Sequence, residues 1–256
     1  MVEEGKYIYC IIGEEKRRDF NSPGIGERGN KAYTVNYKDL AAVVSNSPII
    51  KYPVTRENSL AHEKVIEEVF QENYAVLPVR FGTITEKEEP EKAIKEKVLE
   101  ARYKEFKDLL QKIENKVELG LKVLWNDMDK IFYEIENENY DIKRLKGEIV
   151  AQGCGLSTQQ ARIRVGEMVY KALEEKKKKE GAEILDPLKK IAEDLRENPL
   201  LGDKMLVNSA FLVHKDKEKE FDNRVYALEE KCNPRMKFKY IGPVAPYNFV
   251  EIVVTW

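Results

Sequence analysis

Residues 235–254 read RMKFKYIGPVAPYNFVEIVV. Met236, Phe238 and Tyr240 alternate with Lys237 and Lys239, the period-2 pattern of a strand with one buried face. Gly242-Pro243 breaks that pattern, and Pro246 breaks the chain again just beyond it. Proline brings no ladder donor and glycine tolerates unusual backbone angles, so a fixed corner is predicted here. Residues 247–254, YNFVEIVV, are aromatic and β-branched and predict a second strand. The segment thus reads as a closing hairpin that fills a sheet.

Working outward, the 256 residues allow one large domain or two ordinary ones, and two is the better reading. The chain is 42% hydrophobic and 35% charged, which gives it a core and a heavily solvated surface. Its 44 Lys+Arg against 46 Asp+Glu leave a net charge of −2, so charge makes no case for nucleic acid. Cys10, Cys154 and Cys232 have neither CxxC nor His-rich spacing and read as free thiols of a reducing compartment. No apolar run approaches the ~20 residues of a spanning helix. The acidic N-terminus leads straight into a strand and is no signal peptide. A cytoplasmic protein is the expectation.

The N-terminal half alternates strands and helices. Residues 6–12, KYIYCII, have almost no polar face and predict an interior strand. Gly24, Gly26 and Gly29 spell G-x-G-x-x-G, but a dinucleotide fingerprint must open a helix directly after a strand. A flexible connection is predicted over 21–30 instead, followed by strands over 31–36 and 40–45 joined by a tight turn. Thr55 caps a helix whose apolar stripe is Leu60, Val65, Ile66, Val69 and Phe70, with His62 at the stripe's edge. Pro78 places the strand YAVLPVRFGT (74–83) at a sheet edge or bulge. Arg80 inside that apolar run is expected to make a structural ion pair. One long charged helix is predicted over 86–116, with Pro90 in its first turn.

In the second half, residues 117–125 alternate as a strand and Asp127 caps a helix, with another helical piece over 140–150. The glycine hinge AQGCGL (151–156) is followed by a helix capped by Ser157 and Thr158. Asp186-Pro187 predicts the start or kink of a further helix through Leu188, Ile191 and Leu195. MLVNSAFLV (205–213) is a buried strand, and Phe221, Val225, Leu228 and Cys232 line the helix before the final hairpin. The prediction is an α+β protein of two domains, each a small sheet covered by helices. The N-terminal domain spans 1–116; the C-terminal one spans 117–256, with helical insertions over about 127–200.

Four stretches carry a resemblance. GPVAPYNFVEI (242–252) resembles the GP-x-PPYSF-hydrophobic ending of the gas vesicle protein F/L family (GvpF/GvpL), with Ala245 and Asn248 in place of the more usual proline and serine. His62 followed by VLPVRFGT (76–83) is similar to that family's helix histidine and VLP-hydrophobic-RFGT stretch. Residues 118–125 resemble its E-x-G-hydrophobic-K-hydrophobic-x-W segment, and Ala210–Val213 its AFLV. The resemblance spans essentially the whole chain and implies a modified ferredoxin-like fold for the C-terminal domain.

No catalytic constellation, metal-ligand spacing or P-loop is present in the sequence, so no enzyme activity, cofactor or metal is assigned. The resemblance implies an accessory protein of gas vesicle assembly, vesicle-associated, acting as a chaperone or minor structural component. The implied partners are a GvpA-like hydrophobic shell protein and other accessory proteins, with neither nucleic acid nor a membrane span involved. Candidate contact residues are Arg80 and Phe81 on the 76–81 edge and Pro243, Pro246, Tyr247 and Phe249 at the corner. Contact through an apolar groove or by strand addition fits such a shell protein. The competing reading is an enzyme or small-molecule sensor with a pocket between the domains, where Arg80 and His62 hold an anion.

Overall fold

The apolar run at 6–12 lies in β1 (Glu4–Ile12) of the computed structural model, which describes residues 3–26, 29–86, 88–152 and 156–256. β1 pairs antiparallel with β4 (Leu40–Pro48) on one side and β5 (Val76–Pro78) on the other. With β2 (Asp19–Pro23) and β3 (Lys31–Tyr37) they form a five-stranded sheet in the order β2-β3-β4-β1-β5. β1 is interior and β5, with its proline, is the edge strand of this ladder, as expected.

Burial explains why β1 lacks a polar face. Tyr7, Tyr9, Cys10 and Ile12 face one hydrophobic cluster, whereas Ile8 and Ile11 face another. The change of parity between Tyr9 and Cys10 is a β-bulge, recorded as a register shift between Ile8 and Cys10 against β4. α1 (Arg56–Gln71) packs over the tyrosine face through Val65, Ile66 and Val69. Thr55 caps it by accepting from the Asn58 N–H at 3.2 Å. Leu60, expected in the stripe, is 43% exposed; His62 takes the buried position.

The opposite face is covered by α2 (Pro90–Ala93), a π-helical stretch Ile94–Glu100 and α3 (Tyr103–Ile113). One continuous α-helix was the expectation, and Pro90 does open the first turn. The chain widens to i→i+5 bonds, with Ala101 N–H donating to Glu96 O at 3.3 Å. Ile94, Val98 and Leu99 before the break and Phe106, Leu110 and Ile113 after it are thereby all buried, while Ala101 is exposed.

The glycine stretch differs in part from expectation. Residues 21–23 belong to edge strand β2, whose Asn21 and Ser22 N–H groups both donate to the Glu68 carboxylate of α1 at 2.7 Å. Gly24 and Gly26 then press on the sheet: a Cβ at Gly24 would lie 2.3 Å from Ser45 Oγ. The backbone of Gly26, at φ +88°, lies against the Tyr52 hydroxyl.

In the second half, β6 (Lys116–Trp125) leads into α4 (Met128–Glu138), capped by Asp127, then α5 (Tyr140–Gln152) and α6 (Leu156–Lys189). Residues 153–155 of the predicted hinge lie outside the described residues, as do the side chains of Ser157 and Thr158. The helix expected to start at Asp186-Pro187 does not form. α6 runs through Pro187 to its last turn, where losing one hydrogen bond costs least, and Leu195 falls in strand β7 (Asp194–Glu197). β8 (Met205–His214), α7 (Glu218–Cys232) and β9 (Met236–Val244) follow. The four-stranded sheet has the order β7-β8-β6-β9. With helices after β6 and between β8 and β9, this is the strand order of a ferredoxin-like βαββαβ unit carrying extra helices.

The chain divides into two compact units, one of residues 1–119, 212–215 and 242–256, the other of residues 120–211 and 216–241.

The closing hairpin expected over 235–254 does not form. β9 continues through Gly242-Pro243 to Val244, and residues 247–254 form no strand beside it. Turn bonds bend the chain, with Phe249 and Val250 N–H both donating to Pro246 O at 3.1 and 3.0 Å. Beyond the turn, Ile252 pairs with Val79 in parallel, at the β5 edge of the five-stranded sheet.

Candidate partner-binding site

The two stretches singled out by sequence meet in the first unit. Ile252 N–H donates to Pro78 O and Ile252 O accepts from Arg80 N–H, both at 2.9 Å. The C-terminal segment thus occupies the edge that Pro78 leaves short of a donor. Val250 and Ile252 turn inward to the cluster of Leu77, Val79, Ile94 and Phe106, whereas Glu251 and Val253 are exposed.

The six candidate side chains divide. Phe81 is half-buried, edge-on to Tyr7 and His62 at ring distances of 6.4 and 5.7 Å. Tyr247 packs against the same cluster, and burial pushes its phenol pKa upward. Phe249 packs on the other face of the sheet, and Pro246 is buried. Pro243 and Arg80 are exposed. The ion pair expected for Arg80 is not made with any described residue; the strand turns its guanidinium outward to solvent, where no burial cost demands a partner.

His62 is buried more deeply than expected. Its Nδ1 lies 3.1 Å from the Tyr7 hydroxyl, and the ring also hydrogen-bonds the Val79 backbone. The Tyr7 hydroxyl in turn accepts from Gly82 N–H at 2.8 Å. A neutral imidazole accepting from Tyr7 and donating to the Val79 carbonyl satisfies every group in this chain. Burial pulls the His62 pKa down to about 4. A neutral ring set edge-on to Tyr7 and Phe81 and tilted on Tyr9 is a core group that fixes the 79–82 turn; it is buried, whereas Arg80 is exposed.

Glu118, which opens the E-x-G segment of the resemblance, was not among the candidate site residues. It is only 4% exposed, and its carboxylate accepts from both Asn248 N–H at 2.7 Å and Asn248 Nδ2 at 2.6 Å. Burial raises its pKa, with the two Asn248 bonds opposing. Next to it, Gly242 (φ +133°) passes so close to β6 that a Cβ would lie 2.8 Å from Leu119 Cδ2. A carboxylate flanked by Val117 and Leu119 was the available signal; its partner, 130 positions away, was not.

The second unit holds a charged cleft of about 660 Å³ lined by Lys176, Glu180, Cys232 and Arg235 among others. Its inner charges are spent on one another. Arg235 forks onto Glu134 and reaches Glu180 at 2.8 Å, while Glu180 also accepts from Trp125 Nε1 at 2.7 Å. Among the described residues no cluster of His, Cys, Asp or Glu is placed to hold a metal ion.

The family model described as gas vesicle synthesis protein GvpL/GvpF matches residues 5–251. The chain belongs to the GvpL/GvpF family. It is 26% identical to gas vesicle protein F of Nostoc sp. over 98% of this chain and 100% of that one. It is 25% identical to gas vesicle protein F of Haloferax mediterranei over 98% and 95%. The crystal structure of GvpF from Anabaena sp. superposes with a TM-score of 0.83 at 22% identity, covering 97% of this chain and 99% of that one. GvpF from Microcystis aeruginosa gives 0.79 at 21% identity, with the same coverage. The GvpF fold therefore extends over both units. No helix among the described residues is long and apolar enough to cross a membrane.

Proposed function

We propose that this GvpL/GvpF member is a chaperone-like accessory protein that binds the hydrophobic shell protein of the gas vesicle, or another vesicle protein, during assembly. The observation that carries this reading is the end-to-end family match over residues 5–251. A shell subunit with a large apolar face aggregates unless it is shielded before joining a growing edge. Strand addition at the β5 edge is the contact mode the fold supports, because an extended apolar segment already lies there.

The test mixes purified protein with freshly diluted shell protein and follows light scattering and co-elution. Suppressed scattering with a co-eluting complex is expected. Unchanged scattering without a complex would remove direct binding to the free shell subunit.

A further inference from the structure

Both edges of the five-stranded sheet are closed, but by different means. At β2, the Glu68 carboxylate takes the Asn21 and Ser22 N–H groups, and Pro23 removes a further donor. At β5, closure comes from the chain's own C-terminal segment, tied through Ile252 to Pro78 and Arg80 and through the Val253 carbonyl to Arg102 Nη1 at 2.8 Å. Compared with the β1–β4 ladder, which pairs from Glu4 to Ile12, this is a short attachment.

We infer that residues 250–254, bridged to β5 at Ile252, are an exchangeable edge segment. The slot they fill receives an extended β-branched segment of a partner vesicle protein by parallel strand addition. This rests on the partner-binding reading above and specifies its site. The resident sequence VEIVV displays the chemistry required. Val250 and Ile252, two apart, enter the cluster of Leu77, Val79 and Phe106, while the intervening residue is free to be charged. The edge itself offers the Pro78 carbonyl and the Arg80 N–H, both met by a single incoming residue. Pro78 lacks an N–H, so a longer ladder gains nothing there and the register is fixed.

The latch is Glu118. Its two bonds to Asn248 sit at the turn from which the segment departs, so they set the segment's position without entering the slot. A partner segment competes only with the chain beyond Asn248, and the corner can stay attached through Pro246 and Tyr247, which are packed independently.

The experiment uses the full-length chain, a fluorescent peptide PYNFVEIVVTW copied from residues 246–256, and the same peptide with Lys in place of its isoleucine. Hydrogen exchange is read at the Arg80 and Ile252 amides against Val43 and Val44 of β4. Expected are exchange about tenfold or more faster at Arg80 and Ile252, and capture of the first peptide but not the lysine one. Glu118→Ala should speed capture about tenfold, an estimate from losing a buried charged acceptor. Asn248→Ala, which removes the side-chain bond to Glu118 and keeps the backbone one, should speed it less and keeps the test informative if the first variant fails to fold. Protection at Arg80 and Ile252 equal to that of β4, or equal capture of both peptides, would overturn the exchange. No vesicle protein is used, so shell binding can fail while the slot stands, and the slot can fail whatever the shell protein does.

Discussion

Acidification should unfasten the aromatic cluster under α1 through one residue, His62. Its ordinary pKa of 6.5 falls to about 4 in the fold because burial disfavours the imidazolium. The unfolded chain therefore binds a proton that the folded chain does not between these two values. Stability from this group is complete above pH 6.5 and is lost as pH falls through 4. Taking the pH from about 7.5 to about 4 should cost about 3 kcal/mol from this residue alone. The chain has two histidines, so two ring signals report directly by NMR during a pH titration. One of them, His62, should hold its neutral shift down to about pH 4. Urea unfolding of the wild type and His62→Gln at matched pH supplies the energy, since glutamine can accept from Tyr7 and donate to Val79 without titrating. The wild type should lose about 3 kcal/mol more than the variant over that range. A His62 signal titrating near 6.5 in the folded protein, or parallel pH slopes, would refute the buried neutral ring.

Other substitutions test the remaining features. Gly242→Ala places a methyl 2.8 Å from Leu119 Cδ2 at a positive φ, and should cost about 2 kcal/mol or more in chemical denaturation. Gly26→Ala meets the Tyr52 hydroxyl at 2.7 Å and should destabilise by about 1–2 kcal/mol, with part recovered in the background of Tyr52→Phe. Arg235→Lys keeps the charge but loses the fork onto Glu134 and should cost about 1 kcal/mol, readable by Trp125 fluorescence during unfolding. Arg80→Ala removes an exposed guanidinium and should change stability by less than about 0.5 kcal/mol, so any loss of shell-protein binding would report contact directly.

Local chemistry made most elements legible. β1, the β3–β4 hairpin, α1 with its Thr55 cap, α4 with its Asp127 cap and β8 all follow from periodicity and capping residues within a few positions. The misses arose where distant packing overruled local preference. Residues 247–254 have strand composition, yet turn bonds from Pro246 redirect them to β5. Pro187 reads as a helix start, yet an established helix carries it in its last turn. Leu60 looked like a core residue and His62 like a margin, because helical spacing alone does not reveal the tyrosine hydroxyl waiting across the interface. Of the candidate contacts, the meeting of 76–81 with the C-terminal segment was foreshadowed only by both being unusual, and Glu118 stood out locally only as a carboxylate between Val117 and Leu119, with nothing pointing to Asn248.

The bulge at Tyr9 also bears on how this strand can drift during evolution. Its extra residue gives the two halves of β1 opposite parity, so Tyr9 and Cys10 share one face. A relative that deletes a residue there must exchange inward and outward identities along a whole flank at once, or lose one of the two clusters. Insertions and deletions should therefore be rare in β1 and collect at the β2–β3 connection. Where a relative does lack the extra residue, its aromatic and aliphatic positions should be found transposed on one side only.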